Sequence, residues 1–140
     1  MAAAPVYFTV AKMGHARITS GVTNTDGAGT ETAITWYNTA PSADWMLTKV
    51  IFTVTSATGV GDLADSLIHI LVGDGSTSRL IRTIDPGNPA AGSTTLSGYQ
   101  LEVAFGPEFV FPSTVLPEFQ LSVTPTAGNL DIVVFAQSSQ

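Results

Sequence analysis

The sequence predicts an all-β domain: an antiparallel β-sandwich of about nine short strands, connected in the manner of a jelly roll or a Greek key. Apolar and polar residues alternate with a period of two along several stretches, which is the pattern of strands that bury one face. Turn-forming residues interrupt these stretches at short intervals. The 140 residues include 19 Thr, 12 Ser, 13 Gly and 8 Pro, a composition that suits strands and turns rather than helices.

The first third of the chain predicts three strands, at residues 6–10, 16–19 and 32–37. The sequence Asn-Thr-Asp-Gly-Ala-Gly at residues 24–29 contains residues that tolerate a positive φ. We therefore expect a turn there, between the second strand and the third.

The middle third predicts three more strands. Residues 48–55 alternate, with their even-numbered apolar residues on one face. Residues 66–72 are apolar on both faces, and a glycine-containing turn separates them from a further strand at residues 79–84.

The last third again predicts three strands. Residues 99–105 and 119–124 alternate, with apolar residues at the odd positions, whereas residues 130–136 are apolar on both faces. A strand that is apolar on both faces lies centrally in a sandwich or beneath a subunit contact. Prolines at positions 107, 112, 117 and 125 are expected to break this part of the chain into short pieces.

We expect a single domain, in which residues 1–22 form an N-terminal arm with the first strand and residues 23–140 form the sandwich. Residues 1–5, Met-Ala-Ala-Ala-Pro, lack the basic and apolar regions of a signal peptide, so none is expected. No run of about 18 apolar residues occurs, so no membrane span is predicted.

The charge and composition exclude several classes of function. Five Lys and Arg against 11 Asp and Glu give a net charge of -6, with no basic patch for nucleic acid. The absence of cysteine excludes disulfides, thiolate metal sites and cysteine nucleophiles. Charged residues make up only 11% of the chain and its mean hydropathy is +0.30, which favours an oligomer.

No constellation of catalytic residues is visible, so we predict no enzyme, no catalytic residue and no cofactor. His69 lies between Leu67 and Leu71 and is expected to be a packed histidine with one satisfied nitrogen. His15 is expected in a loop or at an edge. Two isolated histidines do not supply the metal ligands of a cupin.

Two acidic segments are candidate calcium sites, residues 26–31 and the pair Asp62 and Asp65. Neither has the spaced carboxylates of a calcium loop, so we interpret them as turns and predict no metal site. A site assembled from separate loops stays an open alternative.

Aromatic residues suggest two kinds of surface. Trp36, Tyr37 and Trp45 favour an alternative function as a glycan-binding module, although either Trp36 or Tyr37 must face the core. The segment from Phe105 to Pro112 holds Phe109 and Phe111 between prolines. The candidate interface residues are Val6, Tyr7, Phe8, Phe109 and Phe111. They are either core residues or surface that becomes buried between subunits.

Several stretches together resemble small virion proteins of tailed bacteriophages and related prophages. The stretches are Ala16–Thr19 leading into Thr23–Thr30, Leu47–Phe52, Ile68–Gly75 with Arg79–Ile81, and Val115–Pro117 through Leu121–Val123 to Leu130–Val134. The resemblance is one of strands and turns and covers most of residues 16–136.

The resemblance implies a capsid decoration (cement) protein with a jelly-roll or related β-sandwich fold. It implies a homotrimer on the capsid exterior that binds the major capsid protein and has no active site. A head-fibre or tail component of the virion is the alternative within the same class. The resemblance carries no functional residues over to individual positions.

Overall fold

The protein is an antiparallel β-sandwich. The computed structural model describes residues 10–19, 31–37, 39–54, 67–85, 100–122 and 129–140. Within these ranges the strands are β1 (Val10–Thr19), β2 (Thr32–Ala33), β3 (Thr35–Trp36), β4 (Trp45–Val54), β5 (Ile68–Gly73), β6 (Ser78–Ile84), β7 (Gln100–Ala104), β8 (Val110–Phe111), β9 (Leu116–Leu121) and β10 (Asn129–Ser138). The described residues form no helix that is long and apolar enough to cross a membrane.

The strands form two sheets, and most neighbours in a sheet are distant in sequence. The first sheet has the order β3-β1-β10-β4-β7, with β8 paired to β4, and the second has the order β2-β9-β5-β6. All pairs are antiparallel. Long-range pairing of this kind is what jelly-roll and Greek-key connections have in common.

The core lies between the sheets and is lined by one face of each strand. Phe52 of β4 and Phe119 of β9 meet edge to face across it, with ring centroids 5.7 Å apart. Both side chains are fully buried, as are Leu47, Ile70 and Ile132. This burial confirms the predicted apolar faces at Phe52 and Phe119 and the predicted burial of Ile70 and Ile132, whereas Leu47 precedes the predicted strand at residues 48–55.

The predicted strand at residues 16–19 and residue 10, the described end of the predicted strand at residues 6–10, both lie in β1. Gly14 lies inside β1 opposite Trp36 of β3. A β-carbon at Gly14 would lie 3.2 Å from the carbonyl oxygen of Thr35. The glycine therefore allows close approach of β3 and does not end the strand. The prediction that His15 occupies a loop or an edge is also wrong, since β1 is paired on both sides at this residue.

The predicted strand at residues 32–37 divides between the two sheets. Thr32 and Ala33 pair with β9, whereas Thr35 pairs with His15 of β1. Ile34 joins the two pieces; it is buried, and its N–H donates to the carbonyl oxygen of Pro117. Two predicted strands fall in the single strand β1, one is split into β2 and β3, and the short strand β8 is additional, so ten strands are described where nine were predicted.

The structure differs from two further predictions, at Pro117 and on one face of β10. Pro117 does not break the chain but lies within β9, opposite Val72 of β5. The face of β10 that carries Val133 and Phe135 is half-exposed, although it was expected to be buried. The ammonium group of Lys49 lies 4.9 Å from the centroid of the Phe135 ring, so the neighbouring strand provides part of its cover.

Candidate functional site

The aromatic segment, residues 105–111, runs along the first half of β4. The N–H of Phe105 donates to Thr48, and the carbonyl oxygen of Phe109 accepts from the N–H of Leu47. Strand β8 then pairs with the beginning of β4. These backbone contacts fix the segment against β4 at both ends.

The side chains of this segment are only partly buried. The ring of Phe109 lies edge to face with Phe105, at 5.1 Å between centroids, and the guanidinium of Arg82 covers both rings. Phe111 contacts Trp45. Val110, between the two phenylalanines, is 39% exposed. The candidate residues Phe109 and Phe111 thus pack against the core and leave an apolar rim around Val110. Whether they contact another subunit stays a prediction.

Trp45 is a core residue and is not available to a sugar. It has no exposed surface, and its indole N–H donates to the carbonyl oxygens of Pro112 and Val115, at 3.1 and 3.3 Å. Trp36 is half-buried and packs edge to face against it. Tyr37 points outward and is 51% exposed. The prediction that one of Trp36 and Tyr37 faces the core is confirmed.

A groove lies beside Tyr37 on the outer face of the six-stranded sheet. It has a volume of about 330 Å³ and is lined by β1, β10 and Tyr37, which follows β3. Arg17 of β1 and Asp131 of β10 form a two-pronged salt bridge in it, with N···O distances of 2.5 and 3.1 Å. His15 stacks under the Tyr37 ring, at 4.5 Å between centroids. We call this the Tyr37 groove.

The remaining titratable groups do not assemble into a catalytic or metal-binding set within the described residues. Nδ1 of His69 is hydrogen-bonded to the hydroxyl of Thr83 at 3.0 Å, which confirms the expectation of one satisfied nitrogen. His69 lies in the second sheet and His15 in the first. Across the described ranges, no group of three or more His, Asp or Glu side chains is placed to hold a metal ion.

Two carboxylates have shifted pKa values for structural reasons. Burial in the second sheet raises the pKa of Glu118, against a hydrogen bond from Ser78 that lowers it. Backbone N–H groups of Thr77 and Ser76 lower the pKa of Asp74 in the β5–β6 turn. This turn contains Gly75 at a φ of 91° and confirms the predicted turn between these strands.

Several predicted residues lie outside the described part of the chain. They are the candidate interface residues Val6, Tyr7 and Phe8, more than half of the proposed N-terminal arm, residues 26–30 of the first acidic segment, and the acidic pair Asp62 and Asp65. The Tyr37 groove, in contrast, was not predicted. Its members are far apart in sequence, and the pairing of β1 with β10 that joins Arg17 to Asp131 is not visible in a periodic pattern.

The chain matches no protein-family model, no curated protein and no solved structure.

Proposed function

We propose that the chain is a non-enzymatic structural protein of a phage virion, which decorates the capsid exterior and binds the major capsid protein as a homotrimer. The resemblance in residues 16–136 suggests this role. The structural observation that supports it is the apolar rim formed by Phe109, Val110 and Phe111 against the beginning of β4.

The rim has the character of an association surface. Interface cores are enriched in aromatic residues and depleted of charge, and all three rim residues are apolar. The backbone of the segment is hydrogen-bonded to β4, so association would order little additional chain. A three-fold assembly would use heterologous contacts, in which the rim of one subunit meets a different patch on the next.

A β-sandwich of this composition also fits a role that depends on contact area. A decoration protein must hold neighbouring capsid subunits together without chemistry, through packing and backbone pairing. With charged residues at 11% of the chain, the protein has little charged surface to desolvate when it binds.

The oligomeric state of the purified protein tests this proposal. Size-exclusion chromatography with light scattering should give a mass near three times 14.5 kDa, or a monomer that sediments with bare capsids. Val110→Asp should weaken either form of association while leaving the β-sheet circular dichroism spectrum unchanged. Leu80→Asp is the matched control, because Leu80 is 57% exposed on β6 of the other sheet.

A monomer that does not bind bare capsids under any condition would contradict the proposal, as would equal effects of the two substitutions. A head-fibre or tail component is the rival within the same class. A glycan-binding module is favoured by a separate observation, the exposed ring of Tyr37 beside a groove.

A further inference from the structure

We propose that the Tyr37 groove binds one neutral pyranose sugar, with an apolar face of the sugar against the Tyr37 ring and its hydroxyl groups at the Arg17–Asp131 pair. This site is independent of the capsid role. It rests on the geometry of four residues, which are Tyr37, His15, Arg17 and Asp131.

The wall of the groove is a positioned aromatic ring. The backbone N–H of Tyr37 donates to the carbonyl oxygen of Met13 at 2.8 Å, which extends the pairing of β3 with β1. The ring is supported from one side by His15, at an interplanar angle of 34°. An exposed tyrosine supplies a large, rigid contact surface at a small cost in conformational entropy. Its apolar ring face and polar hydroxyl match a pyranose, which has apolar C–H faces and polar edges.

The polar part of the groove is held in place by the salt bridge. Two of the five N–H donors of Arg17 are used in its bonds to Asp131, and within the described residues Arg17 makes no other hydrogen bond. The bidentate contact fixes the plane of the guanidinium. The remaining N–H donors of Arg17 therefore point in a defined direction. Recognition of two neighbouring hydroxyl oxygens requires donors that are oriented in this way.

Charge and size select the class of ligand. Arg17 and Asp131 neutralise each other, so this pair gives the groove no net charge for an ion. The protein as a whole carries a charge of -6, which disfavours anions. Paired polar groups beside one aromatic ring suit a hydroxyl-rich neutral molecule better than a wholly apolar one. A volume of about 330 Å³ is at the lower end for ligand pockets and fits a single sugar ring.

The groove lies far from the apolar rim. Along β4, Thr53 is the register partner of Asp131, whereas Trp45 is the register partner of Phe111. Eight residues of strand separate these two positions, a distance of about 25 Å. A subunit bound to a capsid through its rim would keep the Tyr37 groove free to bind a sugar.

Saturation-transfer difference NMR on the purified protein tests the inference. The probes are the methyl glycosides of glucose, galactose, mannose, N-acetylglucosamine, fucose and xylose. At least one should receive saturation through its ring protons, with a dissociation constant on the order of 1–10 mM, as expected for one exposed stacking contact. Tyr37→Ala should weaken binding at least tenfold, and Tyr37→Phe should retain it because the ring is kept.

A second variant and a control separate binding from folding. Arg17→Leu should weaken binding severalfold, with Tyr37 unchanged. Leu80→Ala, on the other sheet, should bind like the parent protein. The inference is overturned if none of the glycosides receives saturation, if Tyr37→Ala binds as tightly as the parent, or if glucuronic acid binds more tightly than the neutral sugars.

Discussion

The carboxylate of Glu118 occupies the space that a side chain at Gly73 would need. Glu118 lies on β9 and is only 6% exposed, and a β-carbon at Gly73 of β5 would collide with its Oε1 and Cδ atoms. The hydroxyl of Ser78 donates to both carboxylate oxygens, at 3.1 and 3.3 Å. Three strands of the second sheet therefore meet around one buried carboxylate.

Gly73→Ala is expected to destabilise the fold by about 1–3 kcal/mol, the range for overpacking a well-packed site. The physical reason is the collision with Glu118, since φ at Gly73 is not in the left-handed region. Urea denaturation of the parent and the variant measures the free energy of unfolding.

The same substitution made in a Glu118→Ala background identifies the cause. Removing the carboxylate opens the space, so Gly73→Ala should then cost less than in the parent. An equal cost in both backgrounds would contradict the proposed collision.

The stability of the protein should depend on pH through Glu118. Burial raises the pKa of this carboxyl in the folded state, and Glu31 and Asp74 raise it further by repulsion. The folded state then holds its proton more tightly than the unfolded state, whose pKa is about 4.3. The contribution to stability is therefore fully present below that unfolded value and is lost as the pH rises through the folded pKa.

Glu118→Gln isolates this effect, because glutamine cannot ionise. The free energy of unfolding of the parent, minus that of Glu118→Gln, should fall as the pH rises from about 4 to about 8. Asp74 has the opposite dependence, since its lowered pKa favours the folded state above its unfolded pKa. Asp74 is present in both proteins, so the part of its contribution that comes from its own backbone hydrogen bonds cancels in the difference, and only its repulsion with Glu118 remains. A difference that stays constant or rises would show that the sign is wrong.

The period-two pattern was sufficient to predict the fold class and most strands. Alternation in residues 48–55 and 99–105 follows directly from one buried face and one exposed face, and the structure confirms it at Phe52 and Leu101. The sequence predicted less well where each strand lies within its sheet and which strands are its neighbours. Pro117 predicts an interruption in isolation and His15 a loop or an edge, but neighbouring strands pair at both positions: β5 at Pro117, and β3 and β10 at His15.

The two candidate sites also differ in how far the sequence could predict their residues. Phe109 and Phe111 could be selected from the sequence because they are concentrated in one segment. The partners in the Tyr37 groove could not, since Arg17 and Asp131 are 114 residues apart and meet only through the register of β1 and β10. Burial of Trp45 likewise depends on β8 and on carbonyl groups near Val115 that accept from its indole.

Trp45→Phe is expected to destabilise the protein by about 1–3 kcal/mol, through lost volume and two carbonyl groups that lose a donor. Tyr37→Phe is the matched control, because its side chain is half-exposed and should tolerate the change with little loss of stability. Thermal unfolding followed by circular dichroism compares the two. Equal melting temperatures would contradict a core role for Trp45.

Substitution in the aromatic segment should separate folding from assembly. Phe111→Asp places a charge against Trp45 and is expected to lower the melting temperature strongly. Val110→Asp places its charge at an exposed position and should leave the melting temperature almost unchanged while it weakens association. If Val110→Asp assembles like the parent, the rim is not the association surface.

The number of copies per virion tests the capsid role most directly. The sample is purified virions of the phage whose genome encodes this chain. Quantitative mass spectrometry would compare the abundance of the chain with that of the major capsid protein. A decoration protein should be present in many copies per particle, at a fixed ratio to the major capsid protein. All of its copies should dissociate from the capsid under the same conditions. Virions with none of this chain, or with only the few copies typical of a tail component, would contradict the account.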